Sequence, residues 1–327
     1  MFFFIIFLVT IWFLNYNYKI YSKGIVNNEI PILLNYIFAW LFNYGLSVFA
    51  AMYIFIDFYV FREKKIIFIG IFETFFSNIS ILSRAFALVF LVYLKGFIDT
   101  LKDYKSNLNV KNFFLKISFF GAIFFLISLF IVNEIRGKTF FIGNKSNIEK
   151  KIDLDISNKI TNNFIDFKKL AVERWVGIDS LLSVSNYPYK NIDLFLESLK
   201  EKKLHREQSF YMKNFYTNFV FEKNANENLN TVILPGIIAF LYYSGSKLLV
   251  FLGIIFFIVF FSLIEKFFWN YSQNRILSSI IGFTLAMRLA HFGYLPVNTI
   301  QYLFSLLITF FIVFFISSIF LKFEWKR

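Results

Sequence analysis

Cysteine is absent from the chain, and histidine occurs twice, as His205 and His291. The first absence excludes disulfides, thiolate metal sites and cysteine nucleophiles; the second leaves too few imidazoles for a His-based metal site, so no metal or other cofactor is expected. Charge is scarce as well, with 17% of residues charged against 58% hydrophobic and a mean hydropathy of +0.61. That balance is too apolar for an ordinary soluble domain. No G-x-S-x-G, H-E-x-x-H or comparable local signature occurs, so a membrane-bound acyltransferase or hydrolase has no motif behind it. Internal repeats are missing too, and no matching pair of Gly/Pro-broken helices marks the two halves of an inverted-repeat transporter.

What the chain does have is apolar length. Segments at 1–15, 32–61, 66–94, 113–133, 232–246, 248–264, 276–292 and 299–321 stand against the ~20 residues that a helix needs to cross ~30 Å of hydrocarbon. The composition and these runs predict an all-α, polytopic helical membrane protein with one large extramembrane loop domain. Its parts are N-terminal transmembrane helices over 1–133, a hydrophilic loop over 134–230 and C-terminal transmembrane helices over 231–327. The 51 Phe follow what AT-rich codons supply and define no aromatic surface. The N-terminal MFFFIIFLVTIWFL lacks a preceding positive charge and a small-residue cleavage site, so it reads poorly as a signal peptide and is short for a span. The fifth segment, TVILPGIIAFLYYSGS, has Pro235 and Gly236 near its start and Gly245 at its end, and reads as re-entrant.

The net charge of +13 sits mostly at helix ends and in the hydrophilic region, which points to membrane topology and acidic lipids, not nucleic acid. If every segment spans, Lys19, Lys23, Lys95, Lys102, Lys105, Lys111, Lys116 and Lys247 face Arg62, Lys64, Lys65, Lys266, Arg275, Lys322, Lys326 and Arg327, eight against eight. If 232–246 is re-entrant, the last five of the second group join the first and Lys247 leaves it, giving twelve against four. The twelve are then cytoplasmic and the hydrophilic region external, with the REKK run at 62–65 on the wrong side. In that region NIDLFLESLKEKKLHREQ places Ile192, Phe195, Leu196 and Leu199 on one helical face, with His205 and Arg206 on the polar side.

Ionisable residues within apolar segments cost ~3 kcal/mol on insertion scales and are functional candidates by default. They are Asp57, Glu73, Arg84, Arg288 and His291. Arg84 either pairs structurally with Glu73 or Asp57 or contacts a substrate. Thr284, Arg288 and His291 are spaced i, i+4 and i+7, so they share a face that points into the bundle. The island AVERWVGIDSLLSVSNYP is too apolar to hang in water: it is either a lid on the mouth of the bundle or the core of the loop domain. As a lid, Arg174 would offer a guanidinium fork to phosphate oxygens, and Trp175, Tyr187 and Tyr189 flat faces to sugar rings. As a core, Trp175, Val176, Ile178, Leu181 and Leu182 simply pack together.

A large hydrophilic region followed by TVILPGIIAFLYYSGS, and closing helices with AMRLAHFGYLP and a charged tail, resembles the carboxy-terminal half of bacterial oligosaccharide repeat-unit polymerases of the Wzy type and their O-antigen ligase relatives. The likeness is one of layout over about residues 60–327. It implies a periplasmic loop in the bacterial inner membrane and joining of glycans carried on polyprenyl diphosphate, without nucleotide-sugar donors. By position Arg174 and Arg288 match the arginines that hold the diphosphate, and His291, or Glu173 and Asp179, the base that assists the acceptor hydroxyl. The partners implied are lipid-linked oligosaccharide and chain-length regulator or flippase proteins. Two features depart from that pattern: few helices precede the loop, and Arg136, Arg174 and Arg206 are the only loop arginines. A transporter or scaffold, with Asp57, Glu73, Arg84 and Arg288 along a solute path, is the alternative.

Overall fold

A computed structural model describes residues 2–22, 31–61, 63–83, 85–103, 110–141, 178–201, 209–215, 235–290 and 297–324, and these residues are mostly helical, with no strand among them. The helices are α1 (Phe2–Tyr18), α2 (Ile32–Trp40), α3 (Leu46–Phe61), α4 (Phe68–Ser80), α5 (Phe86–Asp103) and α6 (Val110–Phe141), then α7 (Ile178–Asn186), α8 (Ile192–Ser198), α9 (Phe210–Asn214), α10 (Gly236–Leu241), α11 (Lys247–Ser272), α12 (Arg275–Ala290) and α13 (Val297–Glu324). Three stretches, Leu33–Phe61, Phe113–Arg136 and Lys247–Ser272, are long and apolar enough to cross a membrane. The first is one continuous rod: a π-helical turn over Leu41–Gly45 joins α2 to α3.

The third apolar segment, 66–94, is not a single span. Ring contacts of Phe68 with Phe120 and of Phe72 and Phe75 with Phe124 run α4 parallel to α6. Phe86 meets Phe125 and Phe97 meets Phe113, so α5 runs antiparallel to the same helix. The chain therefore reverses between Ser80 and Phe86. The Ser83 N–H closes α4 on the Asn78 carbonyl at 2.7 Å, and Leu82 takes a left-handed φ of 53°. Hydropathy could not reveal this turn, because neither proline nor glycine marks it.

The reversal defines two ends of the bundle. At one, which we call the loop end because α6 leads from it into the hydrophilic region, Asn15 of α1 binds Ser80 of α4, and Val132 of α6 packs on Ile79 and Leu82. At the other, Arg275 pairs with Asp103 at 2.9 Å, and the 3-10 turn Lys64–Ile67 links α3 to α4. α12 runs from this second end toward the loop end, while contacts of Phe267 with Phe310 and Tyr271 with Phe314 set α13 parallel to α11, so that its C-terminal end returns to the second end. Outside the hydrophilic region, Lys64, Lys65, Lys102, Lys266, Arg275 and Lys322 all belong to elements at the second end, the basic end. Lys64 and Lys65 of the REKK run thus share an end with Lys102, because the chain reverses between α4 and α5; Arg62 lies outside the described residues.

Close helix crossings need small residues where no hydrophobic force drives helices together. A side chain at Gly96 of α5 would begin 2.7 Å from the Ile276 Cα of α12, so only glycine admits this approach. Asn274 completes the joint: its Oδ1 accepts from the Ile276 and Leu277 N–H groups, capping α12, and its Nδ2 donates to the Ala51 carbonyl of α3.

The fifth apolar segment forms no span. α10 has 6 residues, ~9 Å of helix at the usual rise, and a 3-10 turn over Tyr242–Ser244 returns the chain to α11. Gly245 supplies the left-handed residue of that return, φ 72°, and Ser246 caps α11 by accepting from the Leu249 N–H. α7, α8 and α9 pack on this hairpin through Val184, Tyr211, Phe215, Phe240 and Tyr243. Of the amphipathic run expected over 191–208, Ile192–Ser198 is helical and residues 202–208 lie outside the described residues; α6 continues past the expected boundary at 133 to Phe141.

Candidate functional site

The loop end gathers polar and aromatic groups from five separate stretches of sequence. Arg288 lies in the last turn of α12, half-buried, with its guanidinium 4.9 Å from the centre of the Tyr302 ring of α13. The Tyr302 hydroxyl donates to the Thr284 carbonyl one turn earlier on α12 at 3.2 Å, which locks the two helices in register beneath the arginine. Tyr302 also meets Tyr44, whose ring centre is 5.3 Å away and whose side chain is fully enclosed.

The π-helical turn explains how Asn43 and Tyr44 reach this place. An extra residue in a helical turn rotates the following side chains off the face they would otherwise hold, and such turns recur at functional sites. Here Asn43 Nδ2 donates to the Tyr21 hydroxyl at 3.1 Å and to the Ala39 carbonyl at 2.7 Å. Trp40, just before the turn, donates its indole N–H to Thr309 of α13 at 3.0 Å. Asn15 ties the floor together: its Nδ2 donates to the Tyr21 and Ser80 carbonyls and its Oδ1 accepts from the Tyr21 N–H at 2.8 Å. Polar groups are therefore continuous from Ser80 through Asn15, Tyr21 and Asn43 to the neighbourhood of Arg288.

Neither a family model, a curated protein nor a solved structure matches this chain. The reading of the site rests on its own geometry.

Among the expected site residues, Arg288 stands in the cluster, and Thr284 joins it through its carbonyl. Asp179 stands in the first turn of α7. The ring of Tyr187 is half-buried, edge-on to Phe215 at 4.9 Å and to Tyr189 at 5.9 Å, so it takes part in the packing of the loop helices. Arg84, Glu173, Arg174, Trp175 and His291 lie outside the described residues.

A second polar group lies deeper. Glu73 of α4 is 2% exposed; Ser77 donates to its Oε1 at 2.8 Å and Tyr93 of α5 to its Oε2 at 2.9 Å. Tyr93 also reaches the Ser47 carbonyl of α3 at 3.1 Å, so one hydroxyl serves two acceptors and joins three helices. On α11, the Glu265 carboxylate lies against Gly282 of α12, where a side chain would begin 2.7 Å from it. Among the described residues no cluster of three His, Asp or Glu side chains has the proximity a metal ion requires.

Tyr21, Asn43, Tyr44 and Tyr302 were not singled out by sequence. Asn43 was the one visible signal, an amide in an apolar run five residues or fewer from Gly45 and Trp40.

Proposed function

We propose that the chain is a polytopic membrane glycosyltransferase that joins oligosaccharides carried on polyprenyl diphosphate into a surface polysaccharide. The observation that carries the reading is the Arg288 cluster: a fixed cation with tyrosine hydroxyls and an amide around it, at the end of the bundle opposite the basic residues. Under the positive-inside rule the basic end is cytoplasmic, and the cluster, the re-entrant hairpin and the hydrophilic region face outward. That is the side on which a lipid-linked glycan awaits polymerisation.

The chemistry asks little beyond charge and a base. A glycosyl diphosphate already carries a good leaving group, so the protein must stabilise the charge developing on it and take a proton from the acceptor hydroxyl. Arg288, with Arg174 from the hydrophilic region, supplies the cation, and its seat over Tyr302 removes the entropy of placing it. His291, three residues further along the chain, or Glu173 or Asp179, supplies the base.

The test is polymer synthesis from purified polyprenyl-diphosphate oligosaccharide by the intact chain in liposomes. Arg288→Ala and Arg174→Ala are each expected to lower turnover by ~10²–10³-fold, the usual loss when one charge-stabilising donor is removed. Unchanged turnover in both variants, with protein levels intact, would sink the reading. One observation favours the alternative of a transporter: Glu73, Thr74, Ser77, Asn78 and Ser80 are all buried along α4. Substrate-dependent ion or proton flux in the same liposomes would favour it over polymerisation.

A further inference from the structure

α8 presents one side to the re-entrant hairpin and a different pair of rows to its surroundings. Leu194 and Phe195 pack inward, Phe195 lying 5.4 Å from the Phe240 ring, and Ser198 is buried. The outward arc divides in two. Ile192, Leu196 and Leu199, spaced i, i+4 and i+7, are 53%, 48% and 38% exposed. Beside them Asp193, Glu197 and Lys200, with the same spacing, form an exposed charged row. A helix facing water has no use for three large aliphatic groups in register, and one enclosed by protein has none for a charged row. The division suits a helix lying along a boundary between hydrocarbon and water.

The level of α8 relative to such a boundary is set by the hairpin. A side chain at Gly245 would begin 3.3 Å from the Lys190 carbonyl, which places the N-terminus of α8 against the residue where the chain turns into α11. α11 opens two residues later at Lys247, and no part of its most apolar window is buried in the protein. Leu248, Phe251 and Leu252 in its first turns are all exposed. The apolar row of α8 is therefore held level with the start of α11, the most apolar and least buried of the three span-length helices among the described residues. Tyr189, 73% exposed just before α8, has the amphipathic ring favoured at that depth.

We propose that α8 is an interfacial helix, with Tyr189, Ile192, Leu196 and Leu199 seated among lipid headgroups and upper acyl chains at the loop end, and Asp193, Glu197 and Lys200 in water. This rests on the membrane placement of α11 and is independent of glycosyl transfer, so failure of one leaves the other standing.

The absence of cysteine permits a direct test. Single cysteines at Ile192, Leu196, Leu199, Asp193 and Glu197 are spin-labelled in the full chain reconstituted into phosphatidylethanolamine and phosphatidylglycerol liposomes. Phe251→Cys serves as the lipid reference and Asn186→Cys as the water reference. Collision with oxygen relative to a water-soluble nickel chelate is expected to be several-fold higher along the apolar row than along the charged row, approaching the Phe251 value. Apolar-row labels as open to nickel as the Asn186 label would overturn the proposal. So would labels closed to both reagents, the result if a second copy of the chain or another part of this one covers the row. Where a label disturbs folding, the rate at which a charged thiol reagent modifies Leu196→Cys against Glu197→Cys is the second measure; equal rates again overturn the proposal.

Discussion

Among the described residues Glu73 is the acidic side chain that the bundle encloses, and its value lies in what it satisfies. Ser77 and Tyr93 both donate to it, and Tyr93 carries the connection to Ser47 on α3. A buried polar group left without its partner costs about 1–3 kcal/mol, and a cavity adds to that. Glu73→Ala is therefore expected to destabilise the protein by about 2–4 kcal/mol, whereas Glu73→Gln keeps the volume and an acceptor and should cost far less. Thermal unfolding in liposomes or detergent separates the two; equal losses would show that the negative charge itself matters. Glu201 makes the same kind of contact outside the bundle, where its Oε1 accepts from the Phe210 N–H at 2.6 Å and so caps α9. Burial pushes its carboxyl above the ordinary range, against the opposing pull of the Phe210 N–H and Lys213. With the folded-state value raised, the folded form holds more protons, so its stabilisation is complete below the unfolded value and is lost as pH rises through the folded one. Amide exchange over Phe210–Asn214, corrected for intrinsic rates, should show more protection at acid than at neutral pH. Glu201→Gln should flatten that dependence, and a slope that persists in the variant assigns it elsewhere.

Elements in this molecule are joined at a few places where the chain leaves no room. The α5–α12 crossing is the tightest between backbones, with the Gly96 position 2.7 Å from the Ile276 Cα. Gly96→Ala must separate the helices, and overpacking of this kind costs about 1–3 kcal/mol. The same substitution at Gly70, where the nearest neighbour is the Tyr93 ring at 3.1 Å, asks that ring to move by only a few tenths of an ångström and should cost less. Comparison of the two unfolding temperatures tests the crossing, and equal shifts would deny it a special role. Such joints are what hydropathy does not register. The apolar segments, the Pro235–Gly245 hairpin and the candidacy of Arg288 were legible because each depends on local composition or spacing. The reversal at 81–85 was not, since Ile81, Leu82 and Ala85 continue the apolar run on either side of it. Nor was the π-helical turn, whose residues Leu41–Gly45 read as ordinary helix, and with it went the positions of Asn43 and Tyr44. The partners of Arg288 come from Tyr21, Tyr44 and Tyr302, which only the packed helices bring together.

For the whole molecule, the α4–α5 reversal decides how charge is distributed between the two ends. Read as one span, 66–94 sends Lys64 and Lys65 to the opposite face from Lys102; folded as a hairpin, it unites them with Lys266, Arg275 and Lys322 at the basic end. Among described residues outside the hydrophilic region, Lys19, Lys247 and Arg288 remain toward the loop end. An asymmetry of that sign orients a membrane protein with the basic end in the cytoplasm. Ser180, in the middle of the apolar island, would be a poor reporter because its side chain is buried, whereas Asn186 and Lys102 are exposed, the latter with 66% of its side chain open. In the cysteine-free chain a membrane-impermeant thiol reagent is expected to label Asn186→Cys in intact spheroplasts and Lys102→Cys only after lysis. The reverse pattern would put the Arg288 cluster on the cytoplasmic side, where no exported lipid-linked glycan waits, and would end the polymerase reading while leaving the fold and the transporter alternative intact. Labelling of both sites before lysis would mean that the two ends are not separated by a bilayer, and would remove the membrane topology on which both readings depend.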